Sequence, residues 1–309
     1  MAAVSSGCFG KLPLAGDFLR MNAGGPEVAD LDQWIQEGLS AVKAKLGPAW
    51  DRAFDASEPK RFVYVPEKAE RMLVGVIVPS RDQTGRRYPM CIFLRVERQG
   101  RSESAARLPA QCATFFEAAL DLARAGWADG DAKAFLARVE RLADAVGDPS
   151  AGRDDLVRRW ETRTVADFSA ALFGEASQER ISALGNALDV LLPALRASGT
   201  TLGFGLKCPL STDDLADVAF WCEFTARLAH RDLGDPFLFW SRSVLLASYR
   251  RPSPKVWLSF LDPTHDDDWW YDLAGARTAK PFASGHVTAL LEEGSRSLAS
   301  LLAAAEEDP

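Results

Sequence analysis

The chain has 309 residues, of which 47% are hydrophobic and 26% charged, the mixture of a globular protein long enough to bury a sizeable core in one or two domains. Thirty-six basic against 43 acidic side chains give a formal net charge of −7, so the averaged field repels phosphate backbones and nucleic acid is not an expected partner. Five scattered cysteines without a C-x-x-C pair point to reduced, buried thiols; with no basic leader ahead of an apolar run and no apolar stretch of the roughly 18 residues a membrane helix needs, a cytoplasmic protein is expected.

The chain opens on Gly7 to Phe18, G-C-F-G-K-L-P-L-A-G-D-F. Gly10 and Gly16 admit backbone angles closed to other residues and Pro13 fixes φ, so the block reads as a shaped turn, with Asp17 capping or bracing it and Phe18 anchoring it in the core. Lys11 beside glycines is reminiscent of a phosphate cradle, but the spacing fits neither G-x-x-x-x-G-K-[ST] nor G-x-G-x-x-G, and Pro13 removes an amide. Val28, Leu31, Trp34, Ile35, Leu39, Val42 and Leu46 then lay one apolar stripe on a helix that ends at Gly47-Pro48. Phe62 to Val65, Met72 to Val78 and Tyr88 to Val96 are short, β-branched and apolar on both faces, as buried strands are.

The loop between the last two strands, Pro79 to Pro89, reads P-S-R-D-Q-T-G-R-R-Y-P. Ser80 and Asp82 suit a strand exit and Gly85 a reversal, while Asp82, Arg86 and Arg87 are candidates for meeting a partner; an ion pair between Asp17 and Arg86 is the structural counterpart. The basic stretch Arg81, Arg86, Arg87, Arg95, Arg98 and Arg101 reads as a solvated face. From Leu108 to Ser198 the pattern is helical, with candidates at Gln111 to Ala125, Ala132 to Val146 and Asp154 to Leu172 and the clearest stripe from Ile181 to Leu195. Strands are expected again at Leu202 to Lys207, Val244 to Tyr249 and Val256 to Leu261, with a helix at Asp214 to His230 and a terminal helix at Val287 to Ala304. A faint echo of Phe9 to Asp17 in Phe204 to Asp213, and of Val78-Pro79-Ser80-Arg81-Asp82 in Asp262-Pro263-Thr264-His265-Asp266, raises an internal duplication. The expected fold is α/β: a layered mixed sheet built from N- and C-terminal parts (1–105 and 200–309, packed together) around a helical middle region (106–199).

Catalytic patterns are sparse. The three histidines fit no zinc spacing, the serines lack G-x-S-x-G, and His265-Asp266-Asp267-Asp268 departs from a calcium loop. No cofactor or metal is expected. Trp269-Trp270, beside that acidic run, is a candidate contact surface.

Taken together, the opening block, D-x-W-I-x-x-x-L at Asp32 to Leu39, L-G-P-A-W at Leu46 to Trp50, V-I-V-P-S-R-D-Q-T-G-R-R-Y-P at Val76 to Pro89 and D-P-F-L-F-W-S at Asp235 to Ser241 resemble the TagF or ImpM family of type VI secretion accessory proteins. The resemblance implies a cytoplasmic, non-enzymatic factor that represses the secretion machine after translation and is linked to a forkhead-associated scaffold protein. The family-motif and candidate partner-binding residues are then Gly10, Lys11, Pro13, Gly16, Asp17, Phe18, Pro79, Ser80, Asp82, Gly85, Arg86, Tyr88, Trp269 and Trp270. A metal-dependent hydrolase using Asp17 and Asp82 is the alternative.

Overall fold

The computed structural model describes residues 3–66, 70–98, 105–125, 131–145, 149–197, 202–212, 214–262, 265, 268–273, 275 and 285–307. Its strands are β1 (Ala3–Gly10), β2 (Leu19–Met21), β3 (Lys60–Tyr64), β4 (Arg71–Val78), β5 (Met90–Glu97), β6 (Gly205–Pro209), β7 (Phe237–Trp240), β8 (Val244–Ser248) and β9 (Trp270–Asp272). They join in one nine-stranded sheet of order β2-β1-β5-β4-β3-β7-β8-β6-β9. All described pairings are antiparallel except that of β6 with β9. The N-terminal strands therefore occupy one half and the C-terminal strands the other, joined where β3 meets β7 in the register Arg61↔Trp240, Phe62↔Phe239, Val63↔Leu238. This is the layered mixed α/β sheet that the two-ended strand pattern implied.

Side chains alternate across a strand, so the sheet has two faces and each must be covered. On one face Phe9, Phe62, Tyr64, Phe93 and Phe239 pack beneath α1 (Pro26–Leu46), α2 (Trp50–Ala56) and α10 (Trp257–Leu261). The stripe predicted for α1 is the buried one, with Val28, Leu31, Trp34 and Ile35 fully covered. At its centre the Trp34 ring lies 5.0 Å from Phe239 and 5.5 Å from Trp257, and its Nε1 donates to the Pro252 carbonyl at 2.9 Å.

The opposite face, with Val63, Val74, Val76, Ile92 and Leu238, is covered by the helical middle region and its neighbours. These are α3 (Leu108–Gln111), α4 (Ala113–Ala125), α5 (Ala132–Glu140), α6 (Pro149–Thr162), α7 (Val165–Phe173), α8 (Ser177–Arg196), α9 (Asp214–Ala229), α11 (His286–Glu292) and α12 (Leu298–Ala304). The middle is thus a cover for both halves of the sheet.

Several elements depart from the sequence pattern for local reasons. Gly7 to Gly10 is strand, not turn. The expected helix over Asp154 to Leu172 is broken because Thr164 and Asp167 form a reciprocal capping box that starts α7. Val256 to Leu261 is helical, since Ser253 accepts from the Lys255 amide and Pro254 opens a turn that continues into α10. This removes the strand-end part of the proposed duplication; Pro263, Thr264, Asp266 and Asp213 lie outside the described residues. The terminal helix is two helices, the second capped by Ser297, and β7 and β9 are strands that the pattern had not marked.

Trp34 ties helix, sheet and the Pro252 segment together, so Trp34→Ala is expected to destabilise the fold by about 3–5 kcal/mol, measured by urea denaturation. A loss below about 1 kcal/mol would contradict its central place in this core.

Candidate functional site

The two motif blocks meet. Gly10 ends β1 at φ 139°, and a Cβ there would lie 2.1 Å from the Pro89 carbonyl oxygen; only glycine lets the opening block approach the end of the Pro79 to Pro89 loop so closely. That loop folds back on itself at Gly85, φ 86°, with the Gly85 amide donating to the Asp82 carbonyl at 2.9 Å and the Asp82 amide to the Arg86 carbonyl at 3.1 Å.

Asp82 is the clasp. Its side chain is inaccessible to solvent, and both carboxylate oxygens are occupied. Oδ1 accepts from the Thr84 amide (3.0 Å), the Thr84 hydroxyl (2.7 Å) and the Arg86 amide (3.0 Å). Oδ2 receives Arg86 Nε at 2.7 Å and Lys11 Nζ at 3.0 Å. Lys11 brings the opening block to the same carboxylate, and Arg86 reaches back to the Gly16 carbonyl at 2.7 Å. Gln83 adds two bonds, from its amide to the Ala15 carbonyl and from its side chain to that of Leu14, each 3.1 Å. Burial alone would raise the Asp82 pKa, but the bonds from Thr84, Lys11 and Arg86 outweigh it and hold the carboxyl well below the usual range.

Beside this clasp lies an open groove of about 650 Å³ between α1, α2 and the loop. Its apolar floor is Phe18, Leu39, Trp50 and Tyr88; Arg20, Lys43, Arg86 and Arg87 stand around it against Asp51. The floor is braced from below. The Phe18 ring meets Tyr88 edge-on at 5.1 Å, and Arg20 lies 5.0 Å over Phe18 while its Nη2 meets Asp32 at 2.6 Å. The Tyr88 hydroxyl donates to the same Asp32 carboxylate. Burial and this bond push the Tyr88 pKa up, so the phenol stays protonated. Arg87 is held by Asp51 at 3.0 Å and Asp55 at 2.7 Å.

The named residues divide accordingly. Gly10, Lys11, Gly16, Phe18, Asp82, Gly85, Arg86 and Tyr88 build the clasp or the groove. Pro13 and Asp17 lie in the turn of the opening block, Pro13 partly covered and Asp17 exposed, and Arg86 pairs with Asp82 instead of Asp17 because Asp82 lies four residues away on the same tight loop. Pro79 is partly buried and Ser80 buried at the strand exit, where the Ser80 carbonyl accepts from the Tyr88 amide at 3.1 Å.

Trp270 is not a surface residue. It is buried against Gly205, with Nε1 donating to the Ser259 hydroxyl at 3.1 Å. Trp269 is partly buried beneath the Arg250 guanidinium, 4.2 Å from its ring centre. The basic stretch is likewise not one solvated face. Arg95 is buried on Glu27 at 2.7 Å, Arg98 meets Asp235 at 3.0 Å, and only Arg86 and Arg87 reach the groove; Arg101 lies outside the described residues. Sequence reasoning missed Arg20, Leu39, Lys43 and Trp50. The one available signal was that the α1 stripe and L-G-P-A-W stood within the same family pattern.

A hydrolase centred on Asp17 and Asp82 does not fit these contacts. Asp82 has no oxygen valence left for a cation and already faces two cationic side chains, and among the described residues no three His, Cys, Asp or Glu side chains group as metal ligands. Nor is any described helix long and apolar enough to cross a membrane.

The fold and site define an α/β sheet protein whose clasped motif loops wall an open, basic groove with an aromatic floor. Residues 7–142 match the model of the TagF N-terminal domain, type VI secretion system-associated. Among solved structures, the crystal structure of PA0076 from Pseudomonas aeruginosa PAO1 is similar, with a TM-score of 0.51 and 18% identity over 85% of this chain and 96% of that one; the likeness is one of fold. No curated protein matches the sequence.

Because the folded-state pKa of Asp82 is depressed, the stability it contributes is present above the unfolded value of about 4 and is lost as the pH falls below it. Asp82→Asn is therefore expected to lower the melting temperature by roughly 5 °C or more at neutral pH, a gap that narrows toward about pH 2. Calorimetry across that range checks it, and a gap independent of pH would show that the carboxylate charge is not what closes the loops.

Proposed function

We propose that this chain is a cytoplasmic accessory protein of a type VI secretion system that acts after translation by binding a machine component, and that the groove beside the Asp82 clasp is where the component docks. The partner that the TagF resemblance favours is a forkhead-associated scaffold protein, and its sequestration would repress assembly or firing. The observation that carries the reading is the convergence of two segments separated by some sixty residues of chain onto one buried carboxylate, with an open groove beside it to which both segments contribute. A buried, charge-paired carboxylate fixes loop shape; the open, basic and aromatic wall beside it suits a protein partner, since arginine and aromatic side chains are the usual anchors of interfaces.

The reading makes no use of catalysis. An interface of ordinary size, about 1,600 Å² in total, extends well beyond the groove and gives a stoichiometric inhibitor its affinity.

Lys43 and Ser40 are exposed on the groove side of α1 and can change without disturbing the core. Lys43→Glu and Ser40→Trp are expected to weaken binding of the purified scaffold at least about ten-fold in biolayer interferometry, the first by charge and the second by filling the groove. Wild-type retention of the scaffold with both variants binding equally well would move the docking site elsewhere. No retention by the wild type would remove the scaffold as partner.

A further inference from the structure

The helical layer on the other side of the sheet holds a second cavity, of about 260 Å³, between α3, α6, α9 and α12. Its apolar wall includes Leu156, Val157 and Trp160, and Val157 is one of two large apolar side chains left exposed among the described residues, at 42%. Around it stand Arg107, Arg153 and Arg227 against Glu223 alone. Arg227 is engaged by Glu223 at 2.9 Å and Glu306 at 3.0 Å, whereas Arg107 and Arg153 have no ion-pair partner among the described residues.

Each feature points to the same kind of occupant. The cavity volume suits one leucine- or phenylalanine-sized side chain, for which Leu156, Val157 and Trp160 are an apolar seat. Two uncommitted arginines on a chain of net charge −7 mark a local reversal of field that favours acidic residues flanking that side chain.

We propose that this cavity docks an acidic segment of a partner protein: one large apolar side chain enters against Val157 and Trp160, and neighbouring Asp or Glu side chains meet Arg107 and Arg153. The site is separate from the groove beside Asp82 and stands whether or not that groove binds the scaffold.

The probes are two capped synthetic peptides of identical length, one with leucines flanked by glutamates and its twin with lysines in place of the glutamates, titrated into the full chain by fluorescence anisotropy. In parallel, the Trp160 indole N–H resonance is followed, assigned by its loss in Trp160→Phe. The acidic peptide is expected to bind saturably, to shift that resonance, and to bind at least about ten-fold more tightly than its twin, with affinity falling as salt rises. Val157→Glu and Arg153→Glu, both at exposed positions, are each expected to weaken it about ten-fold while circular dichroism stays unchanged, and Lys43→Glu to leave it unaltered. The proposal is overturned by absence of saturable binding, by equal affinity for the two peptides, by binding that survives Val157→Glu, or by self-association of the chain that Val157→Glu abolishes, which would make a second copy the occupant.

Discussion

The geometry of the groove depends on one carboxylate. Asp82 sits on a five-residue reversal whose own amides and hydroxyl fill one of its oxygens, and the other oxygen draws Lys11 and Arg86 together from segments that the chain separates widely. Neutralising that charge would leave Lys11 and Arg86 facing each other without their shared counter-ion, so the carboxylate holds the opening block and the loop together. The aromatic floor follows from this. Phe18 and Tyr88 are the residues just beyond the clasp on each segment, and they meet edge to face because the clasp fixes where each segment turns.

Beneath the clasp lies a more general constraint. A sheet apolar on both faces needs helices on both, and the strands between Ala3 and Glu97 are followed by too little chain before the middle region to supply both covers locally. One face is covered by α1 and α2 with α10 brought in from the C-terminal part; the other is covered by helices that also span β6 to β8. The β3·β7 seam makes these covers continuous. Trp34 shows the consequence, since a residue of the first long helix has its indole N–H bonded to Pro252 and its ring against Phe239 and Trp257.

Where a segment's apolar period was long or its strand β-branched on both faces, the sequence was sufficient to mark the element: α1, α8 and β3 to β5 are found where their patterns place them. Short apolar runs were not decidable. Val256 to Leu261 carries Trp, Leu and Phe that suit either state, and the Ser253-Pro254 start decides for a helix; Phe237 to Trp240 has four apolar residues without alternation because both its faces are buried. The candidate site divides along the same physical line. The sequence joined the two motif blocks only through an expected Asp17–Arg86 ion pair; the identity of the Asp82 partners was not visible, because an ion pair is set by which side chains a fold brings within 3 Å. Trp270 was misplaced for the complementary reason. Proximity to an acidic run in sequence says nothing of the pleat, and β9 turns that ring inward onto Gly205.

Charge distribution gives the two cavities a common logic. The net charge of −7 includes the arginines and lysine around them, so the remaining surface is more negative than that total. The average field repels an acidic partner, while Arg20, Lys43, Arg86 and Arg87 at the groove, and Arg107 and Arg153 at the second cavity, attract it locally. Such a field selects orientation before contact, and it does so on two opposite sides of one sheet. The pairing of Arg87 with Asp51 and Asp55, and of Arg86 with Asp82, lowers the attraction at the groove but holds those guanidinium groups in place, so less side-chain entropy is lost when a partner arrives. The second cavity reverses that balance, with Arg107 and Arg153 unpaired among the described residues beside the apolar wall of Leu156, Val157 and Trp160, so the proposed binding there gains more attraction and costs more ordering.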